Sequence, residues 1–238
     1  MDSLKGKNVL IVGATGGIGS RTAKLLAGSG AHVFLAGRDP EKLAAVAAEL
    51  GMTAERCFAI DLTNPKQLNE LKERYFAVFP TLDILINTTG IGIIKPVEAL
   101  TEAEFMQTLQ VNLYGAFLLV KTFLPAMKEV KKGLIIHIPG VLGKVPMAGA
   151  AAYSASKFGL LGMMQSIREE IKRTEIRITN IFMGGVDSPF WDGIDLRVQR
   201  EKMIQADEAA KAIWFLCQQP ASAVVSEMVL QPFNHQAI

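Results

Sequence analysis

Residues 8–19, NVLIVGATGGIG, decide the fold. A continuous apolar run, NVLIV, leads directly into Gly13, Gly17 and Gly19. A strand with no polar alternation is one covered on both faces, as in a parallel sheet between two layers of helices. Glycines after it permit tight backbone angles. The helix expected to follow starts with free N–H groups, which suit an anion such as a phosphate. The spacing is GxxxGxG, not the more usual GxGxxG of dinucleotide turns. A plain glycine-rich turn would show the same glycines, but strand, glycines and helix in this order favour a phosphate loop.

Outward from this stretch the pattern repeats. Residues 32–36 (HVFLA), 56–60 (RCFAI), 82–86 (LDILI), 134–138 (LIIHI), 176–182 (IRITNIF) and 226–230 (SEMVL) read as further strands, seven in all. Helical stretches lie between them. Pro40 suits the first turn of one and Gly51 its end. Thr101 and Glu104 have the spacing of a capping box before a helix expected to run to Lys128. Residues 150–172 and 207–218 complete the set. Strand–helix–strand alternation predicts right-handed crossovers. The expectation is one doubly wound, Rossmann-type α/β domain over residues 1–238, with a seven-stranded parallel sheet and helices on both faces.

Composition limits the function. The chain has 238 residues, half of them apolar and a fifth charged, with a net charge of +2. Near-neutrality and the lack of a basic cluster argue against nucleic-acid binding. Cys57 and Cys217 stand far apart with no CxxC spacing, so neither a zinc site nor a disulfide scaffold is expected. No metal site is expected. No uninterrupted apolar run reaches the ~18 residues of a membrane span, and the start has no leader pattern. A cytoplasmic protein without membrane contact follows as the expectation.

Two signals bear on chemistry. In LAGRDPEKL, Gly37 and Arg38 stand where an acid would bind an adenosine ribose. A small residue leaves room and a guanidinium suits a phosphate, so NADP(H) is favoured over NAD(H), with Asp39 as a counter-indication. In YSASK, Tyr153 and Lys157 are four residues apart in a helical stretch and share a face. A nearby ammonium lowers a phenol's pKa, which suits proton transfer. The pair alone is a weak signal, and beside a phosphate loop it becomes a strong one.

With these residues in place, the chain resembles the short-chain dehydrogenase/reductase family from Lys7 to about Pro232. The resemblance implies a cofactor loop at Gly13, Thr15, Gly17, Ile18 and Gly19. It implies adenine contacts at Asp61 and Leu62 (IDLT). Asn87 and Gly90 (NTTG) match the ends of the family's NNAG segment. Asn112 (VNLYGAF) matches its catalytic asparagine, which helps to hold a proton-relay water. Tyr153 matches the general acid/base, and Lys157 the residue that binds the nicotinamide ribose. Gly184 and Val186 (IFMGGVDSP) match the segment that faces the nicotinamide amide.

The departures are informative. The family usually carries a serine thirteen residues before the tyrosine, and here Gly140 (IPGVLG) holds that place beside Pro139. Thr88, Thr89 and Met183 also depart from the pattern. By analogy with an oxyanion-hole donor, loss of the serine hydroxyl should cost roughly 10²–10³ in turnover, or about 3–4 kcal/mol. Thr88, Thr89 or a water could replace it. His137 should point to the opposite face from residue 140, and Ser154 away from Tyr153.

Val141, Leu142, Val145, Met147, Phe190, Trp191 and Ile194 fall beyond the ends of two central strands, where ligands of such sheets bind, within a short lid at about 186–204 for the last three. They suit a hydrophobic carbonyl or alcohol substrate, or serve only to pack the lid. The resemblance implies a homodimer or homotetramer through the two long helices. Two functions compete. One is an NADP(H)-dependent carbonyl/alcohol oxidoreductase using Asn112, Tyr153 and Lys157. The other is a nucleotide-binding module that has lost efficient chemistry, acting as a sensor or partner subunit.

Overall fold

The computed structural model describes residues 1–220 and 222–234. The strands in chain order are β1 (Asn8–Val12), β2 (His32–Gly37), β3 (Cys57–Ala59), β4 (Ile84–Asn87), β5 (Lys132–His137) and β6 (Glu175–Met183), then β7 (Val186–Asp187), β8 (Ile204–Gln205) and β9 (Glu227–Leu230). Seven of them form a parallel sheet in the order β3-β2-β1-β4-β5-β6-β9. The chain moves outward from β1 to β3, then returns to the other side of β1 at β4. That reversal opens a crevice beyond the strands' carboxyl ends, where such folds bind ligands.

Among the described residues seven α-helices flank the sheet: α1 (Gly17–Gly28), α2 (Pro40–Glu49), α3 (Pro65–Val78), α4 (Glu102–Leu109), α5 (Gly115–Val130), α6 (Ala151–Ile171) and α7 (Ala206–Cys217). Alternate residues of the central strands feed opposite cores. Leu10, Leu85, Ile135 and Ile178 pack with Leu71, Tyr75, Phe123 and Leu160 on one face. Val9, Ile11, Ile86 and Ile136 pack with Leu26, Leu43, Ile213 and Leu216 on the other. Both strand faces are therefore dry, which is why the strands read as unbroken apolar runs.

Helix starts follow the sequence signals. The Asp39 carboxylate accepts hydrogen bonds from the Glu41 and Lys42 amides and caps α2. Thr101 and Glu104 form both halves of the capping box on α4. The hydrogen bond from Lys95, with those from Thr101, holds the Glu104 carboxyl down at about 2.

Two expectations need correction. The helix expected over 101–128 is not uniform: a π-helical turn, Gln110–Tyr114, separates α4 from α5, which runs on to Val130. Such turns insert one residue and reorient a side chain, often at functional sites. The segment after β6 also holds a parallel pair, β7 with β8, through Val186 to Ile204 and Asp187 to Gln205, on which the sequence is silent. Second, the helical run Glu102–Val130 is long and apolar enough to match a membrane span by composition. Its Leu119, Phe123 and Met127 are fully buried in the core, which accounts for the apolar character. Cys57 and Cys217 are both free thiols, and among the described residues no cluster of metal-ligating side chains occurs.

Candidate active site

The loops after β1, β4, β5 and β6 converge on one cleft of about 1180 Å³. Thr15, Gly17, Ile18, Gly19, Arg38, Gly90, Tyr153, Lys157, Gly184 and Val186 line it. Gly13, Asp61, Leu62, Asn87 and Asn112 lie outside its lining. Gly13 and Asn87 support that wall from behind, as described below. Asp61 is held by its own turn, where its carboxylate accepts from the Thr63 amide and hydroxyl. Leu62 is buried in the core.

The glycine loop fits only glycines. Gly13 has φ +87°, and a Cβ there would come within 2.5 Å of Thr88 Oγ1. A Cβ on Gly19 would collide with the Gly13 carbonyl. α1 starts at Gly17 with no side-chain cap, so its first N–H groups remain for an anion. The Thr88 hydroxyl is shared between the carbonyls of Val12 (3.0 Å) and Gly13 (3.2 Å), which fastens the end of β4 to this loop. At the end of β2, Gly37 leaves room for Thr15: a Cβ would stand 2.9 Å from its Cγ2. Arg38 is exposed at the cleft edge beside Lys42, while Asp39 is committed to the α2 cap and to an ion pair with Lys42 at 3.6 Å.

Asn112, on the π-helical turn, reaches across to the segment after β4. Its Oδ1 accepts from the Ile91 amide at 2.8 Å, and its Nδ2 donates to the Ile91 carbonyl at 2.9 Å. The same Nδ2 donates to Ser156 Oγ at 3.0 Å, and Ser156 donates to the Tyr153 carbonyl at 2.7 Å. Asn112 thus ties the NTTG segment to the helix that carries Tyr153 and Lys157. A Cβ on Gly90 would stand 3.4 Å from both Asn112 Oδ1 and Lys157 Nζ, so the three meet at one point.

Lys157 is buried, and its Nζ donates to the Ile138 carbonyl at 3.0 Å. The same Nζ lies 5.4 Å from the centre of the Tyr153 ring. Burial pushes the lysine down to about 8. Burial also pushes the Tyr153 phenol above its ordinary value. The lowering of that phenol by Lys157, expected from the sequence, does not appear: burial is what acts on the phenol, and the Lys157 ammonium donates to the Ile138 carbonyl. His137 faces the sheet layer: its Nδ1 accepts from Asn87 Nδ2 at 3.3 Å. Burial, with the Lys157 charge nearby, pushes it down to about 3, so it stays neutral. Ser154 is also buried.

No serine replacement comes from the threonines, whose hydroxyls are committed. Thr88 holds the glycine loop, and Thr89 donates to Asn87 Oδ1 at 2.6 Å. Gly140 has φ +70° and ψ 172°, a region almost restricted to glycine. A Cβ there would approach only the Met183 carbonyl, at 3.4 Å. Pro139 and Gly140 are the sequence signal of this altered backbone.

Val141, Leu142, Met147, Phe190 and Trp191 line the cleft as expected, whereas Val145 and Ile194 do not. Ile94, Leu196, Val198 and Met203 also line it and were not anticipated. They carry only an apolar signal, indistinguishable in sequence from core positions.

A sequence profile of short chain dehydrogenases matches residues 7–198. The chain belongs to the short-chain dehydrogenase/reductase family of oxidoreductases. An uncharacterized oxidoreductase of Staphylococcus saprophyticus is 30% identical over 241 residues, covering 98% of each chain. A metagenomic short-chain oxidoreductase solved in complex with NADP superimposes with a TM-score of 0.83 and 32% identity, covering 97% of this chain and 99% of that one. Levodione reductase superimposes with a TM-score of 0.83 and 26% identity, covering 95% and 96%.

Proposed function

We propose that the chain is an NADP(H)-dependent oxidoreductase that interconverts a hydrophobic carbonyl compound and its alcohol. The observation that carries this reading is the placement of Tyr153 and Lys157, 5.4 Å apart from ring centre to Nζ, in the wall of the cleft that the glycine loop also lines. The residues fit a dinucleotide: a loop packed so tightly on itself that Gly13 and Gly19 admit no Cβ, uncapped N–H groups at α1, and an exposed guanidinium at Arg38. With Asp39 turned into a helix cap, Arg38 and Gly37 favour a 2′-phosphate over a bare ribose hydroxyl. The related structure bound to NADP supports the same choice. Tyr153, Lys157, Gly90, Gly184 and Val186 would hold the nicotinamide end, which supplies or accepts hydride when bound.

The protein's own part is proton handling and exclusion of water. Burial keeps the Tyr153 phenol protonated, ready to donate to a carbonyl oxygen as negative charge grows there. The Lys157 cation stabilises the phenolate left behind. Asn112 acts at one remove, holding Ile91 and α6 in register. The apolar wall of Leu142, Met147, Phe190 and Trp191 takes the substrate's body. The diketone implied by levodione reductase's name is one carbonyl class to include in a test.

Gly140 favours a second reading, a nucleotide-binding module with weak or no turnover, because its φ of +70° gives a backbone that no serine would readily adopt. Exposed Met106, Tyr114, Phe117 and Phe158 on α4 to α6 suit a homodimer or homotetramer, and a cytoplasmic setting accords with two free thiols. NADPH oxidation with ketones, aldehydes and diketones decides between the readings. Turnover by the native chain and none by Tyr153→Phe, with unchanged NADPH affinity, supports the oxidoreductase. NADPH binding with no turnover of any carbonyl supports the module.

A further inference from the structure

The lid is fixed by one side chain. Arg200 sits on its second half, yet its guanidinium reaches back to three points on the first half. Its Nη2 donates to the Ser188 carbonyl at 2.9 Å and to Asp192 Oδ1 at 2.5 Å, and its Nε lies 3.7 Å from Asp187 Oδ1. Between those points runs the short turn Pro189–Gly193, which carries Phe190 and Trp191. The Phe190 ring centre is 5.9 Å from that of Tyr153 and 5.4 Å from that of Trp191. Phe190 also rests where Gly92 has no side chain, since a Cβ there would stand 2.5 Å from its Cζ. Ser188 in turn sits over the glycine loop: a Cβ on Gly17 would stand 2.8 Å from Ser188 Cβ.

We propose that Arg200 is a positioning residue that locks this turn, placing Phe190 against Tyr153 and so fixing the size of the substrate pocket. The Arg200 side chain is 39% exposed, and a single ion pair so placed contributes little. A rigid planar fork bound at three points is a different case, because each contact orients the others. Ser188 immediately precedes the turn and Asp192 lies within it, one on each side of Phe190 and Trp191, so releasing them frees Phe190 to leave the Tyr153 ring. The remaining anchor, Trp191 Nε1 donating to the Val186 carbonyl at 3.0 Å, holds the turn at its near end. Arg200 itself does not line the cleft, so it acts through Phe190 and not by touching substrate.

The inference rests on the cleft being a carbonyl site, and its test is separable from that reading. A Trp214→Phe background leaves Trp191 as the single tryptophan, adjacent to the moving ring. In that background Arg200→Ala should shift Trp191 emission to the red and raise its quenching by acrylamide, while Arg200→Lys should shift it less. With the best carbonyl of the panel, Arg200→Ala should raise KM about tenfold, short of the ~100-fold that a 1 Å misplacement of a reacting group costs. The pH profile set by Tyr153 and Lys157 should be unchanged, as should NADPH affinity. Unchanged Trp191 emission in Arg200→Ala overturns the proposal. A red shift without a change in KM also overturns it, because Arg200 would then be structural only. If the native chain reduces no carbonyl, the oxidoreductase reading fails while the fluorescence arm still decides whether Arg200 places the turn.

Discussion

The Asn112 side chain holds both main-chain groups of one residue, Ile91, accepting from its amide at 2.8 Å and donating to its carbonyl at 2.9 Å. A carboxamide used in this way replaces the partner that a neighbouring strand would offer. It therefore pins a loop that has left the sheet. The loop begins at β4 and borders the cleft, while Asn112 belongs to the helical layer, so a single side chain sets the distance between them.

Replacing Asn112 with alanine strands the Ile91 amide and carbonyl, while Ser156 Oγ keeps its bond to the Tyr153 carbonyl. Each buried unsatisfied group costs about 1–3 kcal/mol, so a total loss of roughly 2–4 kcal/mol is expected after partial rehydration. Urea denaturation of Asn112→Ala should show it, with turnover falling more than NADPH affinity. Asn112→Asp keeps the contact to the amide and loses the one to the carbonyl, and should fall between. Full stability in the alanine variant would show that the grip contributes nothing.

Restoring the absent hydroxyl at position 140 is expected to fail. With φ +70° and ψ 172° at Gly140, any side chain meets backbone strain of about 1–3 kcal/mol. Its Cβ would be directed towards the Met183 carbonyl. Gly140→Ser and Gly140→Ala should therefore lose similar stability, and the serine should not raise turnover. A faster serine variant would mean that the loop can adopt another backbone, and would remove this account.

Arg38→Ala should weaken NADPH binding much more than NADH binding. A charge-assisted hydrogen bond to phosphate contributes about 1.5–3 kcal/mol, or some tenfold to hundredfold in affinity. Fluorescence titration with both nucleotides measures this. Equal losses would mean that the guanidinium contacts something common to both.

The Lys157 titration should act on rate and stability in opposite directions. Burial lowers its pKa from 10.5 to about 8, so between those values the unfolded chain binds more protons than the folded one. Stability gains from this residue as pH rises through that window. Carbonyl reduction should fall over the same window, because the cation that supports a Tyr153 phenolate is lost. A kcat/KM profile beside denaturation curves tests both, and Lys157→Met should remove this stability slope. Reduction that accelerates from pH 8 to 9 would contradict the role given to the lysine.

The order of strands and helices was legible because both faces of the sheet are dry: NVLIV, LDILI and LIIHI leave no alternation to misread. The glycine loop and the pair Tyr153 and Lys157 were legible because each strengthened the other, and both line the same cleft. The π-helical turn was not. VNLYGAF continues an apolar helical pattern, and nothing in it marks an inserted residue. The pair β7 and β8 has only two residues per strand, too few for any periodicity. Thr88 and Thr89 read as hydroxyls free for chemistry, because sequence does not show which carbonyls stand within their reach. Ile94, Leu196, Val198 and Met203 became pocket walls through tertiary placement alone.

The β7–β8 pair has a consequence for how this chain could change. Its two strands set Val186 beside Ile204 and Asp187 beside Gln205, so the stretch between them is a closed ring. Doubling the length of such a ring costs only about 0.6 kcal/mol in closure entropy. The ring is in that sense an exchangeable cassette: it could be lengthened, shortened or replaced from a relative without disturbing the strands that carry the chemistry. A new specificity would then need a new ring and, at its far side, a new partner for Asp187 and the Ser188 carbonyl.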